Sequence, residues 1–341
     1  MIRSTVVLYV LLGAIASAQA QPTCDPTSFQ NKAVYLNTPI SPGISTTPPA
    51  GSSLPSGSTY AADLGAAFCA GSADFRTQLS KLEKVYVIAA SCSDSVCLEG
   101  SWGWSHGGKW YIGLSEGLWG SGFAYSQYET ALTQGILSAA HGVKYNNAQS
   151  CAGCGAIDTF TTALVAILAH EMGHIGYYSE VPSSTPANFC SGKFFTSWDP
   201  NTVNPPPYWR YLLTPSGRDT IRGGPTGKWP YKHKKNPGDV DVIDHPGAGS
   251  SPKQLIYYLV APDDTATDAG APWASPLAAM SPDEDFVETY KLKVLLSSTR
   301  PLTSVTIDVP GVGTADIVGG LKAGKRKELS DKLDCVSVQF N

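Results

Sequence analysis

The period of apolar positions changes several times along the chain, and each change marks an element. Phe75, Leu79 and Leu82 recur at helical spacing between Asp74 and Lys84, and Val85 to Ala90 follows as a short, mostly apolar run rich in β-branched residues. This pattern predicts a helix feeding a buried strand. Trp102, Trp104, Trp110 and Tyr111 among glycines read as a hairpin ending in a strand from Lys109 to Leu114, with the aromatics as core. Tyr125 to Ala140 places Tyr128, Leu132, Ile136 and Leu137 on one helical face. Phe160 to Tyr178, preceded by Asp158 as a cap, is the strongest helical run. A further helix is predicted from about Ser281 to Leu296, and the tail from Leu302 to Phe340 reads as strands separated by glycines.

Two stretches carry neither period. Asn37 to Thr59 is dominated by Ser, Thr, Pro and Gly and reads as a surface linker. Pro182 to Pro252 holds a proline triplet, a glycine pair and the basic cluster Lys232 to Lys235, and reads as a long irregular insertion with the cluster solvated. No repeat of fixed period is present. The first twenty residues differ from both: Arg3, an apolar stretch from Val6 to Ala16 and the small-residue site Ala18-Gln19-Ala20 form the pattern of a secretory signal peptide. A membrane anchor would need about 20 apolar residues.

Cysteine usage fits export. Eight cysteines, an even number, all lie beyond residue 20, which in an oxidising compartment suggests up to four disulfides. Cys92 with Cys97 and Cys151 with Cys154 are spaced for local loops, and Cys24 is expected in a disulfide rather than as a free thiol covering a metal. With 24 basic against 28 acidic residues, the net charge of -4 gives no field that would gather nucleic acid or anionic lipid. The chain of 341 residues is 42% apolar and 15% charged, which suits a globular core and excludes a solvated disordered chain. It carries no Asn-x-Ser/Thr sequon.

The chemistry concentrates at His170-Glu171-Met172-Gly173-His174. Residues four apart stand one turn above each other on a helix, so both imidazoles can reach one metal ion. Glu171 follows the first histidine by one position, which sets its carboxylate beside the ion as a general base for water. The alternative is a helix with two buried, neutral histidines and Glu171 on a wetter face, which must bury imidazoles on an otherwise apolar turn. A catalytic zinc takes three protein ligands and keeps one position open, so a third ligand is required.

Ser281-Pro-Asp-Glu-Asp-Phe-Val-Glu288 supplies it. Two histidines from an H-E-x-x-H helix, followed on a later helix by Glu-x-x-x-Glu enclosing aromatic and small apolar residues, resemble the gluzincin-type zinc metallopeptidases. The likeness is to lethal-factor-like and related secreted metallopeptidases. It covers the two helices alone, about 35 residues in all. The resemblance implies zinc bound by His170, His174 and Glu284, with Glu288 one turn on orienting a ligand histidine through its ring N–H. Glu284 also fits a capping box with Ser281, and Glu288, Asp285 and Glu180 are alternative ligands. Glu180 falls where the metzincin pattern places its third ligand, but that pattern requires glycine where Tyr177 stands. An aspzincin reading has only Asp241, Asp244 and His245 as loose substitutes for its downstream segment.

The expected fold is α+β and zincin-like, with an edge strand near Trp110 to Leu114 packed on the helices of Glu171 and Glu284. A signal at 1–20, an N-terminal segment at 21–60, a catalytic domain at 61–300 with its insertion at about 180–275, and a strand-rich tail at 301–341 complete the organisation. The expected activity is secreted, zinc-dependent peptide hydrolysis on a protein or peptide substrate, without nucleic-acid or membrane partners. The alternative is a catalytically silent binding or toxin-like protein. Tyr177, Tyr178, Tyr290 and His245 are candidates to hold an oxyanion.

Overall fold

The structure, a computed structural model, describes residues 24–38, 47–89, 101–136, 142–149, 158–180, 257, 260, 273–279 and 282–339. The signal peptide, most of the insertion with its basic cluster, the cysteine pairs at 92/97 and 151/154, and Asp241, Asp244 and His245 lie outside them.

The architecture is mixed α+β. Strands β1 (Ala33–Leu36), β2 (Leu82–Ile88), β3 (Trp102–His106) and β4 (Lys109–Ser115) form a four-stranded sheet in the order β1-β2-β4-β3. β1, β2 and β4 run parallel, and β3 is antiparallel to β4. The crossover from β1 to β2 carries helices α2 (Tyr60–Ala70) and α3 (Ala73–Ser80), after the short α1 (Thr27–Gln30). Strands β5 (Lys144–Gln149), β6 (Leu302–Val309) and β7 (Gly313–Asp316) form a second, antiparallel sheet. The remaining helices are α4 (Gly117–Ser121), α5 (Tyr125–Ile136), α6 (Phe160–Glu180), α7 (Pro282–Ser297), α8 (Ile317–Lys322) and α9 (Lys327–Gln339).

Alternation along β2 divides the four-stranded sheet into two buried faces. Val85 and Val87 join Ile112 and Leu114 against the helices, whereas Tyr86 and Ile88 join Leu36, Trp104 and Tyr111 on the other side. Tyr86, Trp104 and Tyr111 stack with centroids 5.4 to 6.4 Å apart, so Trp104 and Tyr111 are core as expected, whereas Trp102 and Trp110 are half-buried at its margin. The β3–β4 hairpin turns at Gly107 and Gly108, whose φ angles of 59° and 74° belong to a turn that side-chain-bearing residues adopt at a cost.

Helix α6 runs through the centre. Residues 163–169 are buried without a break, and the helix packs against α7, α2, β3 and α5. Its first turn is capped by Thr159, whose Oγ1 accepts the amide of Thr162. Asp158, expected in that role, instead accepts from the amide and hydroxyl of Ser126 and caps the start of α5.

Four further expectations are corrected. The helix near residue 74 ends at Ser80 and Leu82 opens β2, because Leu82 pairs with Trp110 across the ladder. The described part of the segment read as a linker is fastened to the sheet: Tyr35 and Ser52 exchange backbone hydrogen bonds at 2.8 Å, and Pro49 accepts from the Tyr86 hydroxyl at 2.8 Å. The sheet edge lies one strand further out than expected, at β3, because β4 is flanked by β2 and β3. The tail is strand-rich only to Asp316. There the Asp316 carboxylate accepts the Gly319 amide and starts α8, and Leu329, Leu333 and Val336 bury one face of α9.

Cys24 is joined to Cys69 of α2, and Phe29 stacks on Phe68 at 4.9 Å, so residues 24–36 are integral to the core. Cys335 is also disulfide-bonded, to a partner outside the described residues. No helix among the described residues is long and apolar enough to cross a membrane.

Candidate metal centre

The centre is assembled where α6 crosses α7. His170 and His174 occupy successive turns of α6, and their Nε2 atoms stand 3.2 Å apart. From α7, Glu284 brings Oε2 to 3.9 Å from His170 Nε2 and Oε1 to 3.7 Å from His174 Nε2. Ligand atoms of all three lie within 4.8 Å of one another. Glu284 is therefore turned to the imidazoles, while Ser281, its expected partner in a capping box, lies outside the described residues. The crossing is tight: a Cβ on Gly173 would meet Cα of Val287 at 3.0 Å.

Glu288 sits behind His170. Its Oε1 lies 2.9 Å from His170 Nδ1, and the pairing requires a hydrogen on Nδ1, which leaves the Nε2 lone pair facing the shared centre. Ser275 donates its hydroxyl to Glu288 Oε2, and Lys291 brings Nζ to 2.8 Å from Oε1. Burial opposes the charge on Glu288, but Lys291 and His170 outweigh it and hold its pKa well below the ordinary carboxylate range.

Glu171 is buried between α6 and the edge strand. Gly103 of β3 approaches so closely that a Cβ there would stand 2.1 Å from the Glu171 carbonyl oxygen. The Gly103 amide donates to the Glu171 side chain, while Oε2 is buried without a hydrogen-bond partner. Burial first, and then the charge of Glu284, push the Glu171 pKa well up against the opposing effect of that amide. The alternative that put Glu171 on a wetter face is reversed: Glu171 is 4% exposed, and the imidazoles are the more accessible groups.

The donor set fits a divalent cation. Two imidazole nitrogens about 3.3 Å apart are what a tetrahedral ion with bonds of about 2.0 to 2.1 Å requires. The Nε2 separation of 3.2 Å matches it, and the Glu284 oxygens approach the same point from a second helix. A divalent cation at that point would be met by ligand atoms of all three groups.

The other sequence candidates are accounted for differently. Asp285 is fully buried in an ion pair with Lys332 of α9, which removes it as a ligand. Tyr177 packs against Phe286 with ring centroids 5.7 Å apart, and α6 continues through it without the bend a metzincin turn would need. Tyr290 is buried with its ring edge-on to Phe75, 6.5 Å away. The side chains of Tyr178 and Glu180, and Ser281 with them, lie outside the described residues.

Sequence reasoning missed Glu129, Lys291 and Ser275. Lys291 could have been found at the i+3 position after Glu288, one helical turn on. Glu129 lies 162 positions from Lys291 and carried no signal. It also missed Tyr128, a buried phenol of α5 whose pKa is raised well above its usual value by burial and then by Glu129, Glu171, Glu288 and Glu284.

Comparison with protein-family models, with curated proteins and with solved structures finds no match to this chain.

Proposed function

We propose that the protein is a zincin-like, zinc-dependent peptidase that acts outside the cell. The observation that carries this reading is the convergence of His170, His174 and Glu284, from helices separated by a long stretch of sequence, on one point beside a buried carboxylate. His170, His174 and Glu284 would hold the ion, and Glu288 would fix the tautomer of His170. Zinc, when bound, supplies Lewis acidity for a carbonyl oxygen and brings the pKa of water toward neutrality.

The protein's own groups supply the proton transfers. As the oxygen of water adds to the peptide carbonyl carbon, the proton that it loses goes to Glu171, whose Oε2 has no competing partner. When the C–N bond breaks, Glu171 returns that proton to the departing nitrogen. Gly103 holds the other end of the Glu171 side chain, so the edge strand positions the base.

A peptide substrate would lie along β3 as an added strand, since β3 is the sheet edge beside α6. The Cys24–Cys69 disulfide supports an oxidising compartment.

The test compares wild type, Glu171→Gln and Glu284→Ala for bound zinc and for cleavage of casein and a peptide library. The enzyme reading expects one zinc in wild type and in Glu171→Gln, with cleavage lost in the latter, and zinc lost in Glu284→Ala. Zinc without cleavage in wild type would favour the silent binding protein, and absence of zinc from wild type would remove the metal centre.

A further inference from the structure

Behind His170, Glu288 is joined to two further buried charges, Lys291 and Glu129, that the peptidase reading does not itself use. Lys291 Nζ lies 2.8 Å from Glu288 Oε1 and, on its other side, 2.8 and 3.0 Å from the two oxygens of Glu129 on α5. The side chains of all three are at most 4% exposed. Burying such ions carries a desolvation cost that apolar residues of the same volume would avoid. The arrangement is also asymmetric. One ammonium is shared by two carboxylates, and the carboxylate at its inner end accepts from His170 Nδ1.

A Lys291–Glu288 pair without Glu129 would be a neutral couple, with the carboxylate drawn to the ammonium and away from the imidazole. Glu129 holds Lys291 from the opposite side. Glu288 then stays fixed between the Ser275 hydroxyl, Lys291 and His170.

We propose that Glu129 and Lys291 are positioning residues of the metal centre, which clamp Glu288 in the rotamer that holds and orients His170 as a ligand. The inference rests on the reading that His170, His174 and Glu284 hold a divalent cation. It extends the centre to α5, a helix that supplies none of the ligands.

Glu129→Gln keeps the shape and removes the charge, and Lys291→Met removes the shared ammonium. Both are made in the full chain and titrated with zinc against a chromophoric chelator, and with cobalt(II) followed by its visible absorption. A zinc affinity weakened about tenfold in each variant, with a shifted cobalt band, is the expected result. Unchanged affinity and an unchanged cobalt spectrum, with only a lowered melting temperature, would make the network a structural tie between α5 and α7 and overturn the inference. Should either variant fail to fold, Lys291→Arg, which keeps the charge and changes the reach, takes the same titrations and is judged by the same two outcomes. Wild type is titrated first: if it binds neither ion, the metal reading itself falls and the inference with it. Binding by wild type with no change in the variants removes the inference alone.

Discussion

Gly173 and Val287 meet where α6 crosses α7, and a Cβ on Gly173 would stand 3.0 Å from the Val287 backbone Cα. Gly173 precedes His174 by one residue, and Val287 precedes Glu288 by one. The contact that sets the distance between the helices is therefore made by the immediate neighbours of two site residues.

Gly173→Ala should widen that crossing by a few tenths of an ångström. Alanine improves helix propensity by about 1 kcal/mol, but overpacking against backbone costs about 1 to 3 kcal/mol, so a modest net destabilisation is expected. Zinc affinity should fall several-fold because Glu284 moves away from the imidazoles. Chelator competition measures this, and an unchanged affinity would show that the crossing does not set the ligand geometry.

The ion pair of Asp285 and Lys332 joins α7 to α9, with both side chains fully buried. Burial pushes the Asp285 pKa up to about 6 even with the Lys332 ammonium beside it, so the carboxylate depends on that partner for its charge. Lys332→Met should cost about 3 to 5 kcal/mol, as expected when one member of a buried pair is removed. Asp285→Leu/Lys332→Met should recover most of the loss. Urea denaturation of the two variants decides, and equal instability of single and double variants would refute the account.

Cys24 and Cys69 close a loop of 45 residues across the start of the fold. Loop-closure entropy gives such a bond about 4 kcal/mol, so Cys24→Ser/Cys69→Ser should lower the melting temperature by many degrees. A melting temperature within a degree or two of wild type would mean that packing of Phe29 on Phe68 suffices alone.

Tyr86 donates its hydroxyl hydrogen to the Pro49 carbonyl at 2.8 Å, and burial, followed by the charges of Tyr111 and Glu83, pushes its pKa up to about 12. A raised folded-state pKa makes the contribution to stability complete below about pH 10, the unfolded value. It is lost as pH rises through 12, where the folded state too gives up the proton. At pH 9 Tyr86→Phe should be about 1 kcal/mol less stable than wild type. The gap should close by pH 12, and a gap that stays constant to that pH would contradict this assignment.

The site was legible in the sequence wherever its geometry is local. His170 and His174 one turn apart, Glu171 between them and Glu288 one turn after Glu284 are consequences of helical spacing. The Glu129–Lys291 and Asp285–Lys332 pairs were not legible, because a buried charge looks like a surface charge until the helix that covers it is known. For the same reason the tail was misread: Leu329, Leu333 and Val336 carry a helical period, but Lys332 in their midst interrupts the apolar stripe and is itself buried. The edge strand was displaced by one because a hairpin pattern cannot say which of its arms finds a further neighbour.

The two halves of the centre are synthesised at different times. His170 leaves the ribosome 114 residues before Glu284, which at ordinary elongation rates is on the order of ten seconds. Until α7 emerges and docks, the imidazoles have neither Glu284 beside them nor the Glu288 carboxylate that pairs with His170. The nascent chain thus carries an incomplete centre while about a third of its length is made, and assembly of the centre is deferred to a late stage of biogenesis.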